Sequence, residues 1–295
     1  MTGLIAFGDS YLDSGMGLTV SEVAVANGVP NARILPAPVS DPIYAAGRWS
    51  NGPSMIEVMA KEIKVDYSNF AVGGAKATSG NYHAWLDYCA NTGLSGQLDS
   101  FETLLGGRAA PADAIYVVSA GANDYFQFHD FSQPGLLSPT PHPRLSYAAI
   151  GVRTANAVIK TIHRLRDLGA RRVIFLSSYA LELMPWVSRV SPQVEQATSF
   201  MNGFNETLRG TLARETASGG EIVEFDVGTA MRTLATSGVD HGILNVGDAC
   251  QPLIPTRGLL QGDAANYYWW DECHPTARVH QLLGLELARF SRNPA

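Results

Sequence analysis

Five short apolar segments, set apart by stretches with helical spacing, constrain this chain more than any other feature. Residues 4–7 (LIAF) run straight into the glycine, aspartate and serine of FGDS. Residues 65–70, 114–119 (AIYVVS), 172–177 (RVIFLS) and 221–225 read likewise as strands, being too short for helices. The AIYVVS run is continuous and β-branched enough to be buried on both faces. Between the strands the spacing predicts helices over 53–63, opened by Pro53 and carrying Ile56, Met59, Ala60 and Ile63, then over 95–105, 146–168 and 192–215. Gly169 stops the third of these, as glycine commonly does just past a helix end. A short helix near 227–235 and a last one from Pro275 to about Phe290 follow the fifth strand. Residues up to Gly52 after the first strand read as polar and irregular, and 121–144 as a long functional loop. Parallel strands need crossover helices, so the fold class is α/β, a mostly parallel sheet covered on both faces. No repeat or low-complexity linker divides the chain, and a single domain over 1–295 is expected.

At 295 residues, 46% hydrophobic and 16% charged, the chain has the length and composition to bury a sizeable core. A net charge of −6 speaks against a general nucleic-acid binder, which needs a basic face to neutralise phosphates. The densest basic group, Arg164, Arg166, Arg171 and Arg172, falls at a predicted helix end, where positive charge suits the dipole. No apolar run reaches the roughly 18–20 residues of a membrane span, and the first residues lack the basic n-region of a signal peptide. Cys89, Cys250 and Cys273 cannot all pair within one chain, and no CxxC or Cys/His ligand spacing points to structural zinc. A Cys250–Cys273 bridge and three reduced thiols both remain open readings.

In open parallel sheets, ligands bind beyond the carboxyl ends of the strands. Ser10, Gly74 and Asn123 all follow predicted strand ends and share that edge. A serine there is turn punctuation or a nucleophile, and a nucleophilic serine needs a base and a group that orients the base. Of the seven histidines, His163 and His280 fall in predicted helices, while His83, His129, His142 and His241 have no partner identifiable from spacing. His274 differs: Asp271 precedes it by three residues in WWDECHPTA, and Pro275 holds it in a loop before a helix. NFAVGGA (69–75) ends a strand in two glycines that allow close backbone approach, and SAGAND (119–124) ends another with a side-chain amide at Asn123. Each of these alone is ordinary turn chemistry. Asp9 and Asp13, beside Ser10, are expected to bond local backbone N–H groups.

Taken in order, FGDSYLDSG, NFAVGGA, GAND and DECHPT resemble the four signature blocks of the SGNH (GDSL-type) hydrolases. GRWSNGPSMIEVMA (47–60) is similar to a segment of the branch that holds plant GDSL lipases and bacterial secreted lipases and haemolysin-like phospholipases. The resemblance implies a flavodoxin-like, three-layer α/β/α sandwich with a five-stranded sheet. It implies a serine carboxylic-ester hydrolase (esterase or lipase) working through an acyl-enzyme. Ser10 would be the nucleophile, His274 the base and then acid, and Asp271 its orienting group. The N–H groups of Ser10 and Gly74 and the Asn123 side chain would form the oxyanion hole. Tyr11 stands where the family has leucine, and is expected to alter packing or pocket shape beside the nucleophile. Neither a metal nor an organic cofactor is implied, and the partner would be a small-molecule or lipid ester. A secreted or periplasmic home is expected, with the cytoplasm as the other reading. The aromatic segments 125–131 and 267–270 suit either an apolar or cationic substrate group or a packed core. Two alternatives share the blocks: an acyltransferase using the same triad, and an inert lipid- or carbohydrate-binding protein of the same fold.

Overall fold

The computed structural model describes residues 3–38, 40–41, 43–129, 144–212, 221–253 and 258–293. His142 and most of the segment expected as a functional loop lie outside them. Five strands, β1 (Leu4–Gly8), β2 (Tyr67–Asn69), β3 (Ile115–Ser119), β4 (Arg172–Leu176) and β5 (Glu221–Phe225), form one sheet in the order β2-β1-β3-β4-β5. Every pairing in it is parallel. The burial follows the order. Central β1 and β3 are buried at every position, as strands covered on both faces must be, whereas edge strand β2 (YSN) is mostly exposed.

Nine α-helices cover the sheet or connect its strands among the described residues: α1 (Met16–Ala26), α2 (Met55–Ile63), α3 (Leu94–Leu105), α4 (Ala122–Phe126), α5 (Tyr147–Asp167), α6 (Pro185–Ser188), α7 (Ser191–Leu212), α8 (Val227–Thr236) and α9 (Ala277–Arg292). The chain leaves β1 toward β2, then reverses and builds β3, β4 and β5 on the other side. Right-handed crossovers therefore put α2 on one face and α3, α5 and α7 on the opposite one. The contacts agree: α2 packs on α9, and α5 packs on both α3 and α7. This is the three-layer arrangement of the flavodoxin strand order, whose switch point lies between β1 and β3.

Two elements depart from the sequence reading. The stretch expected to be irregular before Gly52 contains α1, whose N-cap is Gly15 with no side-chain cap and whose apolar residues are not confined to one face. Asp13 supplies the missing cap from outside the helix, accepting the N–H groups of Gly15, Met16 and Gly17 at 2.8–3.0 Å. The start of the expected loop forms α4, entered through Gly121 at φ 144°. A second, two-stranded parallel ribbon, β6 (Asn245–Ala249) and β7 (Tyr267–Trp269), lies in a region read as loop. Helix starts also shift: α2 begins after Ser54, whose N–H donates to Glu57 Oε2 at 2.9 Å, and α9 after the Thr276 cap.

Candidate active site

Ser10 comes two residues past β1, at the switch point of the sheet. Gln97 of α3 grips the end of that strand, exchanging two 2.8 Å hydrogen bonds with the Gly8 N–H and carbonyl. Gly8 also packs so close to β3 that a Cβ there would meet the Ser119 carbonyl oxygen at 2.3 Å. The serine is thus presented from a strand end fixed on two sides.

The second arm of the site comes from the far end of the chain. After β7 the backbone folds back on itself: the Trp270 N–H donates to the His274 carbonyl at 2.7 Å, and Trp269 bridges to Pro275. That loop carries Asp271 and His274 to Ser10. His274 Nε2 lies 2.9 Å from Ser10 Oγ, and His274 Nδ1 lies 2.9 and 2.8 Å from the two Asp271 oxygens. The Asp271 side chain is 1% exposed and that of His274 12%. Asp271 Oδ1 also accepts the N–H groups of Cys273 and His274 at 2.9 and 2.8 Å, and Oδ2 accepts the Tyr44 hydroxyl at 2.6 Å. Burial pushes the Asp271 carboxyl up, but the His274 charge and these donors outweigh it and hold the group below its usual value. The hydroxyl–imidazole–carboxylate chain is continuous, with the carboxylate set as an acceptor and one imidazole nitrogen turned to the serine.

The candidate oxyanion donors sit on the same edge. The Gly73 N–H is committed to Asp13 Oδ2 at 2.7 Å. Those of Ser10 and Gly74 have no acceptor among the described residues. Gly74 has φ +81°, and a Cβ on it would meet Asn81 Oδ1 at 2.3 Å, so this position requires glycine. Asn123, 8% exposed, enters from the first turn of α4. One hydrogen of its Nδ2 goes to the Ala75 carbonyl at 3.0 Å, leaving the second uncommitted among the described residues. Such an arrangement can deprotonate a hydroxyl, orient the base and receive an oxyanion.

Three parts of the site carry no local sequence signal. Tyr44 lies in the stretch read as irregular, 227 residues from the carboxylate it bonds. Trp49 donates Nε1 to Asp13 Oδ2 at 3.2 Å and places its ring 5.2 Å from that of His274. Tyr179 donates its hydroxyl to Asp9 Oδ1 at 3.0 Å. Only the GRWSNG block hinted at this wall of the site, and it did so by resemblance.

The structure decides several readings that the sequence leaves open. Tyr125, Phe126, Tyr268 and Trp269 are buried in the main core and Trp270 in a smaller cluster, so the core reading of the aromatic segments holds for them; residues 130 and 131 lie outside the described set. No disulfide joins Cys250 and Cys273: both are free, and they pack in different apolar clusters. The Asp271, Cys273 and His274 donor atoms lie within 4.8 Å of one another. His274 Nδ1 is already engaged by Asp271, however, and burial pushes the Cys273 thiol well above its usual value, so the group is organised as a hydrogen-bond chain. Tyr11 is 2% exposed and its ring stacks on that of Tyr179, so of the two effects expected of it packing is the one it has.

Asp9 is only partly satisfied by its own turn. Oδ1 accepts the Tyr11 N–H at 3.2 Å as well as the Tyr179 hydroxyl, while the buried Oδ2 has no partner among the described residues. Burial, opposed by those two bonds and by His274, raises its pKa from 3.8 to about 7. A carboxyl raised on folding keeps a proton that the unfolded chain has already lost, so stability falls as pH rises from about 4 to about 7. Asp9→Asn removes that titration. Urea unfolding at pH 4 and pH 7 should show wild type losing on the order of 3 kcal/mol more than the variant over this interval. Parallel curves for the two proteins would mean that Asp9 ionises normally.

The fold and this site together place the chain among α/β serine ester hydrolases. It belongs to the GDSL-like lipase/acylhydrolase family, whose model matches residues 4–287. It is 24% identical to a thermolabile hemolysin of Vibrio parahaemolyticus over 99% of this chain, and spans only 64% of that protein's length. A GDSL esterase/lipase of Arabidopsis thaliana is 25% identical, with 97% of this chain and 88% of the plant protein covered. A phosphatidylcholine-sterol acyltransferase of Aeromonas hydrophila is 24% identical over 97% of this chain and 89% of its own length.

Proposed function

We propose that the protein hydrolyses carboxylic esters of small molecules or lipids through an acyl-enzyme on Ser10. The 2.9 Å contact between His274 Nε2 and Ser10 Oγ carries this reading. His274 takes the Ser10 proton as Oγ attacks the ester carbonyl carbon. The tetrahedral oxyanion is received by the N–H groups of Ser10 and Gly74 and by Asn123 Nδ2. His274 then gives its proton to the leaving alkoxide, and the acyl group stays on Oγ. Water enters the same cycle: His274 takes its proton, the hydroxide oxygen attacks the acyl carbon, and Ser10 leaves with the proton returned to it. Asp271 keeps the imidazole oriented and stabilises its charge throughout.

A p-nitrophenyl ester series from acetate to palmitate tests the reaction and sorts short-chain from long-chain preference. Within it, Asn123→Ala should lower kcat by roughly 10²–10³-fold with the melting temperature little changed. A loss under about threefold would remove Asn123 from the oxyanion site.

A second reading, acyl transfer to an alcohol, is favoured by the acyltransferase relative. The same residues serve both reactions; only the acceptor differs. Product analysis with a long-chain alcohol present decides: an ester product in preference to free acid would make transfer the main reaction.

A further inference from the structure

Tyr11 has no part in the chemistry above, yet it is tied to both of its reacting residues. Its hydroxyl donates to the Cys273 carbonyl at 2.8 Å, a buried bond across 262 residues of sequence. Tyr11 is covalently next to Ser10, and Cys273 is covalently next to His274. The Tyr11–Cys273 bond and the Ser10–His274 bond therefore close one small ring, made of two peptide links and two hydrogen bonds. Asp271 is outside that ring.

The ring of Tyr11 has no freedom to leave this position. It stacks on Tyr179 with centroids 3.9 Å apart and planes 19° from parallel, and His280 meets its edge at 5.9 Å. Its N–H is held by Asp9, and Tyr179 reaches the same carboxyl. Burial pushes the Tyr11 hydroxyl well above its usual pKa, so it remains a donor at any working pH.

We propose that Tyr11 is a positioning residue whose hydroxyl sets the distance between the His274-bearing backbone and Ser10. The proposal rests on the ester-hydrolase reading and deepens it. Asp271 fixes the rotation and tautomer of the imidazole; Tyr11 fixes where the backbone carrying it stands. Without the hydroxyl, the 270–274 loop keeps its own internal bonds but loses the bond that ties its backbone to the nucleophile turn. Proton transfer from Ser10 then depends on a separation that fluctuates.

Tyr11→Phe deletes one oxygen and leaves the stacked ring in place. We expect kcat for p-nitrophenyl butyrate to fall ~10-fold, since displacement of about 1 Å costs up to 10²-fold, while KM stays within twofold. The ¹⁵N NMR resonance of His274 Nε2 reports the hydrogen bond from Ser10 Oγ without turnover, and should shift toward that of an unbonded imidazole nitrogen in the variant. Tyr11→Leu, which keeps an apolar side chain but no donor, should show the same kcat loss, and serves if the Phe variant does not fold. A lower melting temperature with kcat and the resonance unchanged would overturn the proposal, leaving Tyr11 as packing alone. Wild-type enzyme and Ser10→Ala run beside them keep the two readings apart. Equal rates for those two would sink the hydrolase reading, while the resonance would still decide whether Tyr11 positions His274.

Discussion

Ser10→Ala should lower kcat/KM by roughly 10⁴–10⁶-fold toward every ester the protein turns over, because the acyl-enzyme cannot form without Oγ. The substitution removes one hydrogen bond, the 2.9 Å contact to His274, and a partly exposed oxygen. The fold should therefore survive. β1 is still gripped by Gln97, and the 270–274 loop still closes on itself. What remains in the variant is the binding of the ester and the oxyanion donors, which can assist attack by water. A fluorophosphonate should add covalently to the wild type at Ser10 and leave the variant unlabelled, as read by intact-mass spectrometry. Labelling of both proteins at another residue, or equal turnover by both, would place the nucleophile elsewhere.

The residues proposed to carry the chemistry were legible in the sequence because chemistry demands particular residue types at short range. Asp271 and His274 sit three apart in one loop, and Ser10, Gly74 and Asn123 each follow a strand end. Of the two glycines in NFAVGGA, the resemblance selects Gly74. The structure gives that choice a physical basis, since Asp13 occupies the Gly73 N–H. The residues that support the chemistry were not legible. Tyr44 and Tyr11 act through bonds spanning 227 and 262 residues, and no local pattern encodes such a partner. The same limit explains α1. Its N-terminus is satisfied by Asp13, a carboxylate already committed to Gly73 and Trp49, so the helix start lacks a cap in the usual place. The central strands were plain because burial on both faces leaves almost only apolar residues there. The sequence left open whether Cys250 and Cys273 pair. They diverge because Cys250 packs with Ala37, Tyr44 and Trp270 while Cys273 faces the main core.

Asp271→Asn tests the other end of the hydrogen-bond chain, and the expected loss is ~10⁴-fold in kcat. The carboxylate accepts from four donors: the Cys273 and His274 N–H groups, His274 Nδ1 and the Tyr44 hydroxyl. An amide has the same shape but only one acceptor oxygen. If that oxygen keeps the two backbone N–H groups at the Oδ1 position, the NH₂ stands where Oδ2 faced His274 Nδ1 at 2.8 Å. A donor there requires Nδ1 to be unprotonated, which puts the imidazole proton on Nε2. Nε2 then offers Ser10 a hydrogen where it must accept one, and the base is lost with the geometry intact. The neutral amide also cannot stabilise the imidazolium formed on attack, whereas Asp271 is held ionised by its surroundings. The loss should be in kcat, with KM nearly unchanged, and fluorophosphonate labelling of Ser10 should slow in proportion. A decrease of less than about tenfold, in a variant that melts as the wild type does, would mean that His274 needs no carboxylate. The backbone closure of the 270–274 loop, with the Tyr11 tie, would then suffice to hold it.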